Sequence, residues 1–152
     1  MKKLLIALVA IVFLAGAAFA GSTDTQTIYY EIDAINEISF DTNITMTVNA
    51  ATAGSQPAEV SVCSLEYNIT TNETGKKLTG QLNANMPGNT TLKVNVDGGE
   101  VALSTTANNL YTNISTMVTA GDWYYSFSFR ATVAAGLPPD GSRVVTYTLT
   151  DE

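Results

Sequence analysis

The segment at residues 123–132, WYYSFSFRAT, carries the clearest structural signal in the chain. From Trp123 every second residue is apolar, and the positions between them are mainly polar. Strict alternation over this length predicts a β-strand with one dry and one wet face. Tyr124 falls on the wet face. The dry face, which is expected to lie in a protein core, consists of Trp123, Tyr125, Phe127 and Phe129.

The same two-residue period recurs along the chain outside residues 1–20. The weakest example surrounds residues 110–114, where the alternation is short. No stretch of useful length shows the 3.6-residue period of an amphipathic helix. The other alternating segments are residues 27–35, 43–49, 64–70, 77–83, 91–96, 101–103 and 143–150.

Turn-forming residues separate these segments. Gly supplies positive φ, Pro presets φ, and Asn or Asp suits both positions of a tight turn. Short turns between strands with one dry face predict antiparallel hairpins. The turn sequences are NETG (residues 72–75), MPGN (86–89), DGG (97–99) and LPPDG (137–141).

Eight or nine strands with one dry face each must bury those faces against one another. The expected fold is therefore all-β, an antiparallel two-sheet β-sandwich of Greek-key or jelly-roll type. Residues 21–152 are long enough for one such domain with a sizeable core. Thr, which is β-branched and suits the wet face of a sheet, is abundant in this part of the chain.

Residues 1–20, MKKLLIALVAIVFLAGAAFA, have the three parts of a secretory signal peptide. Lys2 and Lys3 form a basic start, an apolar run follows, and small residues precede Gly21. The apolar run is too short for a comfortable membrane span, and no basic flank follows it. We therefore expect cleavage after Ala20 and a protein outside the cell or at its surface.

The charge of the processed chain excludes one class of partner. Removing Lys2 and Lys3 changes the net charge from −7 to −9. A chain this acidic offers no basic patch for phosphates, so no nucleic-acid partner is expected. We also expect no association with the membrane once the signal peptide is removed.

The sequence contains no recognisable catalytic apparatus. It has no histidine, which excludes Ser-His-Asp, Cys-His and H-E-x-x-H chemistry. Cys63 is the one cysteine, so no internal disulfide can form. It is expected to be a small buried apolar residue, with an intermolecular disulfide as the alternative. We therefore predict no enzyme activity and no cofactor.

Acidic side chains cluster near the start of the processed chain. Glu31 and Asp33 share one strand face, with Glu37 and Asp41 just downstream. Such oxygen ligands can bind calcium, but no calcium-loop motif is present and a solvated strand face explains the same residues. No pair has the spacing that would select it for glycoside hydrolysis. We therefore predict no metal site.

The chain contains five N-x-S/T sequons, which are candidate N-glycosylation sites if the source has the machinery. An alternation of Asn and Thr on wet strand faces raises the number expected by chance. The candidate asparagines are Asn43, Asn68, Asn72, Asn89 and Asn113.

The two ends of the domain suggest two different roles. Residues 21–35, called here the arm, begin with a polar stretch and continue into an apolar alternation. Such an arm can serve as a first strand of its own domain or complete the sheet of another subunit. In the second case Ile28, Tyr30 and Ile32 are the pocket-filling side chains. The closing strand is expected to be integral to the domain.

The closing segment RVVTYTLTDE, residues 143–152, resembles the last strand of bacterial WxL surface domains. Those domains end in a threonine-rich strand with a Trp-Thr-Leu core, and Tyr147, Thr148 and Leu149 occupy these positions here. The other Trp-x-Leu signature is missing. The resemblance implies a secreted surface β-sandwich and does not imply peptidoglycan binding.

The overall pattern also resembles fibre subunits of the camelysin and archaeal bundling-pilus kind, which assemble by donor-strand complementation. Those subunits likewise combine a signal peptide, one threonine-rich sandwich and an N-terminal β-arm. This resemblance is architectural and implies a structural role in a pilus-like homopolymer.

Two functions from different classes are thus expected from the sequence. The first is a secreted structural subunit of an extracellular filament or surface layer, whose partner is a second copy of the chain. The second is a monomeric glycan-binding module that stacks Tyr124 or Trp123 on a cell-surface or matrix polysaccharide.

Overall fold

The structure is a computed structural model that describes residues 22–41, 43–119, 121, 123–136 and 141–152. The predicted signal peptide and most of the predicted LPPDG turn lie outside the described residues. The chain divides into two compact units, Met1–Ile32 and Asp33–Glu152. The strands described below all belong to the second unit.

The described residues form nine β-strands and a single 3₁₀ turn at Val133–Ala135. None of the helices in the described ranges is long and apolar enough to cross a membrane. The strands are β1 (Asn36–Phe40), β2 (Val60–Thr71), β3 (Lys76–Leu82), β4 (Thr90–Asn95), β5 (Glu100–Ala102), β6 (Asn108–Ile114), β7 (Met117–Val118), β8 (Tyr124–Ala131) and β9 (Val145–Asp151).

Two antiparallel sheets of unequal width make up the fold, and they confirm the predicted all-β sandwich. The wider sheet has six strands in the order β1-β2-β8-β4-β5, with β7 paired to the end of β2. The narrower sheet has three strands in the order β6-β3-β9. Strands lie about 4.8 Å apart, so two fewer strands along the main path make the second sheet roughly 10 Å narrower.

Of the three predicted turn sequences that lie wholly within the described residues, only one forms a hairpin. The DGG turn joins β4 and β5, which are paired neighbours. The NETG turn instead leads from β2 in the wider sheet to β3 in the narrower one, and MPGN leads back to β4. A tight turn reverses the chain direction, and the following strand can bury its dry face either beside its neighbour or in the opposite sheet, as β3 and β4 do here.

The core lies between the two sheets. β2 and β8 supply Tyr67, Ile69, Tyr125 and Phe127 from the wider sheet, and β3 supplies Leu78 and Leu82 from the narrower one. The predicted dry face of β8 is confirmed, because Trp123 and Phe129 also pack against this core. Further buried apolar residues are Leu92, Val94, Val96, Leu103, Leu110 and Ile114.

Cys63 was expected to be buried, and this prediction was wrong, because the thiol is exposed. The pairing of β2 with β8 shifts between Val62 and Leu65, and Ser64 has a φ of 61°. Such a β-bulge inserts an extra residue and changes which residues face the core. The apolar residues that turn away from solvent are the even-numbered Val60 and Val62 before the bulge and the odd-numbered Leu65, Tyr67 and Ile69 after it, and Cys63 is left outside.

Two of the predicted strands are not strands in the structure. Residues 27–35 form no ladder, and the first strand begins at Asn36 instead. Residues 43–49 also form no ladder, yet Ile44 and Met46 pack against the core while the residues between them are exposed. Alternation predicts which side chains are dry, but a ladder also needs a partner backbone at the right distance.

Candidate functional site

The two sides of the sandwich are closed in different ways. On the β5 and β6 side, Leu103 N donates to Leu92 O at 2.9 Å, and Ser104 O accepts from Leu82 N at 2.7 Å. Consecutive residues thus bond to both sheets. On the β1 and β9 side, the sheets meet through side chains, and the ring of Phe40 stacks on that of Tyr147 with centroids 3.6 Å apart.

β9 is an edge strand within the described residues, because its ladder runs along β3 alone. Asn83 N donates to Val144 O, and Glu152 N donates to Gly75 O, each at 3.0 Å. In an antiparallel ladder the residues of one strand bond alternately to its two sides. Even-numbered residues therefore bond to β3, and the backbone groups of Val145, Tyr147 and Leu149 point to the outer edge.

The inward-facing side chains of β9 are less buried than those of β6, the opposite edge of the same sheet. In β6, Leu110 and Ile114 are only 7% and 1% exposed. In β9 the equivalent residues, Val145, Tyr147 and Leu149, are all half-buried. The core is therefore less complete along β9 than along β6.

A groove of about 500 Å³ lies beside the first half of β9. One wall is the start of β9, and the other includes Ile44 just after β1. Tyr125 and Phe127 of β8, which are 4% and 6% exposed, line the groove as well. The groove thus lies over the buried rings of Tyr125 and Phe127, next to the outer edge of β9.

Tyr147 connects this groove to the core. Its ring contacts Phe40 and Tyr125, and its hydroxyl is buried without a hydrogen-bond partner among the described residues. Burial raises the pKa of this phenol well above its ordinary value. Buried polar groups are normally paired, so the position is unusual for a finished core.

Two charged residues stand at the groove. Arg143 lies just before β9, where its Nε donates to Asn85 O and a terminal nitrogen donates to Ser142 O, both at 2.8 Å. Asp41 lies on the other wall, and its carboxylate accepts a hydrogen bond from Glu66 N. The carboxylate of Asp41 is thus occupied within its own domain, and Arg143 is the cation among the described residues that line the groove.

The arm presents large apolar side chains to solvent. Ile28, Tyr30 and Ile32, the predicted pocket-filling residues, are 76%, 88% and 76% exposed, and Tyr29 is exposed as well. Monomeric soluble proteins rarely leave contiguous apolar side chains uncovered, and such patches mark interaction sites. All four residues belong to the first unit.

The end of the arm is attached to the sandwich through Asn72. Its Nδ2 donates to Asp33 O and its Oδ1 accepts from Ile35 N, both at 2.8 Å. Asn72 N in turn donates to Ile35 O at 3.2 Å. Residues 33–35 are therefore held by the sandwich, and the first unit ends just before them, at Ile32.

Tyr124, the candidate glycan contact, lies on β8 opposite Glu66 of β2 and is 51% exposed. Trp123 packs on Tyr67 and Tyr111 instead, with ring centroids 5.8 Å away in each case. A sugar would therefore meet one exposed ring here.

Four of the candidate glycosylation asparagines are exposed, and Asn68 is half-buried, with its Oδ1 accepting from Gly121 N. Asn89 and Asn113 have φ values of 60° and 58°. Asn tolerates this left-handed conformation better than most residues, so these two asparagines have a structural reason to be present.

The acidic residues that suggested calcium do not converge. Glu31, Asp33, Glu37 and Asp41 are all exposed, and within the described ranges no three acidic or cysteine side chains are placed to hold a metal ion. A different ion pair network occurs at the end of β9. Lys76 Nζ lies 2.6 Å from Asp151 Oδ1 and 2.8 Å from Glu73 Oε2.

Sequence reasoning missed the groove, the role of Arg143 in its lining and the half-burial of the inward face of β9. The alternation in residues 143–150 was visible, but it does not say whether a strand is central or at an edge. No protein-family model and no curated protein matches the chain.

Proposed function

We propose that the protein is a secreted structural subunit of an extracellular filament, pilus-like fibre or surface layer that assembles by β-strand complementation. In this function the arm of one subunit adds to a sheet edge of the next. The observation that carries the proposal is the exposure of Ile28, Tyr30 and Ile32 in a chain whose described residues also include an edge strand beside a groove.

Strand addition supplies two stabilising contributions that offset the cost of association. Fully burying one large apolar side chain stabilises by about 1.5–3 kcal/mol, so three contribute roughly 5–9 kcal/mol. Association costs about 4–15 kcal/mol in lost freedom. Backbone hydrogen bonds along an open edge add about 0.5–1.5 kcal/mol each. Apolar burial and strand pairing are thus both needed, which is what strand addition supplies.

The proposal assigns no catalytic role to the protein. The chain has no histidine, and the groove is lined by apolar, amide and hydroxyl groups with Arg143 and Asp41 as its charged members. Its partner is a second copy of the chain. Export through the predicted signal peptide supports a site of assembly outside the cell.

A matched pair of aromatic substitutions tests the function. Tyr30 in the arm and Tyr124 on β8 are both exposed tyrosines. In protein lacking residues 1–20, Tyr30→Asp should abolish filaments seen by negative-stain microscopy, because it places a charge where an apolar side chain must be buried. Tyr124→Asp should leave filaments unchanged.

Removal of residues 21–32, which spares the Asn72 contacts, should give a monomer by light scattering, and adding a peptide of residues 22–33 should yield a one-to-one complex. If the unaltered protein stays monomeric at all concentrations, the proposed function is wrong. Binding to a polysaccharide that is lost in Tyr124→Asp would establish the glycan-binding module instead.

A further inference from the structure

We infer that the acceptor for the arm is the outer edge of β9, and that residues 27–32 of a second copy pair with it antiparallel, with Tyr30 opposite Tyr147. This inference rests on the proposed function and adds the location, direction and register of the added strand. It makes the groove beside β9 an intersubunit site.

The position follows from the incompleteness of β9. Other sheet edges exist, but β6 already has buried inward side chains, and residues 103–104 bond to both sheets on that side. Along β9, the backbone of Val145, Tyr147 and Leu149 points outward while their side chains are half-buried. A strand added there would satisfy the backbone of β9, widen the narrower sheet and cover the half-buried side chains of β9.

The register follows from matching two sets of three residues. The arm exposes Ile28, Tyr30 and Ile32 at a spacing of two, and β9 has its three inward residues at the same spacing. Side chains of adjacent strands align on one face when their pairs are in register. If all three residues of the arm lie opposite the three residues of β9, only two arrangements of the added strand are possible. Both place Tyr30 opposite Tyr147; one is antiparallel and the other parallel.

Charge selects between these two solutions. β9 follows the cation Arg143 and ends in the acidic residues Asp151 and Glu152. The antiparallel strand places the acidic end of the arm, Glu31 and Asp33, at the Arg143 end. Asp151 is paired with Lys76, so the parallel strand would place the same acids next to Glu152 and away from Arg143, where like charges repel.

The antiparallel register also makes a specific pair suitable for a disulfide. Because odd-numbered residues of β9 bond outward, Thr150 and Thr27 would form a non-hydrogen-bonded pair, with Cα atoms about 4.5 Å apart. A disulfide tolerates Cα distances of about 4.4–6.8 Å. In the parallel register Thr27 would instead lie beside Val144, about 20 Å along β9 from Thr150.

The test uses cysteine pairs in a Cys63→Ser background, all at exposed positions. Thr27→Cys with Thr150→Cys should give a ladder of disulfide-linked multimers on a non-reducing gel. Thr27→Cys with Val144→Cys should remain unlinked. Both variants are first assembled in the presence of a reductant, so that filament formation is scored separately from cross-linking.

Each other outcome overturns a defined statement. A ladder from the Val144 pair alone establishes the parallel direction. Linkage within single chains, seen as a faster-migrating monomer, shows that the arm closes on its own domain. Filaments without either linkage place the acceptor elsewhere and leave the proposed function standing. Absence of filaments in the unaltered protein removes the function itself.

Discussion

Residues 27–32 and strand β8 have the same alternation in sequence and opposite environments in the structure. On β8, Tyr125 and Phe127 are buried between two sheets, whereas Ile28 and Tyr30 in the first segment are exposed. β8 has partners on both sides, β2 and β4, and residues 27–32 pair with no strand among the described residues. A two-residue period therefore specifies a dry face, but it does not specify which chain covers that face.

The difference between the two regions is tested most directly by removing one aromatic ring from β8 and one from residues 27–32. Phe127→Ala should lower the free energy of unfolding by about 3–5 kcal/mol, because it leaves a cavity in the core. Tyr30→Ala should change it by less than about 0.5 kcal/mol, as expected for an exposed site. Urea denaturation at a concentration where the protein is monomeric measures both values. An equal loss in the two variants would show that Tyr30 packs in its own domain.

A smaller loss of stability is expected when a methyl group is added to the tightly packed core at Gly80. A Cβ atom on Gly80 of β3 would lie 2.8 Å from Leu110 Cδ1, so the leucine must shift within the core. Gly80→Ala should lower the free energy of unfolding by about 1–3 kcal/mol. Gly99→Ala is the matched control, because nothing lies within 4 Å of the added atom. Equal stabilities of the two variants would show that the core near β6 is loosely packed.

The smallest effect concerns the attachment of β9, the proposed acceptor. Hydrogen bonds to Asp151 and then Glu73 raise the pKa of Lys76, and bonds from Asn36 and then Lys76 lower the pKa of Glu73. A raised lysine pKa stabilises the fold below the unfolded value of about 10.4, and this is lost as the pH rises through the folded value. The lowered pKa of Glu73 stabilises the fold above a pH of about 4.3. This stabilisation is lost as the pH falls through the pKa of the folded state.

Lys76→Met should therefore lower the melting temperature most between about pH 5 and 10, where both groups are charged. The difference from the unaltered protein should shrink toward pH 3, as Glu73 becomes protonated. Lys77→Met removes the same charge from the next residue of β3 and should show little pH-dependent difference. A constant difference at every pH would mean that the network does not hold β9 through charge.

Much of the fold was predictable from residue types. The alternation of β8 correctly assigned Tyr125 and Phe127 to the core and Tyr124 to the solvent, because a side chain on a strand can face only two ways. Cys63 was expected to be buried because of its residue type, which was wrong; the alternation around it did not fix its face, and the bulge at Ser64 leaves no composition signal. The hairpins predicted at NETG and MPGN were wrong. A turn sequence specifies that the chain reverses, but it does not specify which sheet the next strand enters.

The sequence by itself determined the all-β class, the sandwich and the faces of most strands, since these depend on local periodicity and on burying apolar side chains. Only the tertiary structure decided that β9 is an edge strand, that its inward face is half-buried and that a groove opens beside it. Those features depend on how many strands each sheet recruits. That number is set by contacts between residues far apart in the chain, which no local pattern records.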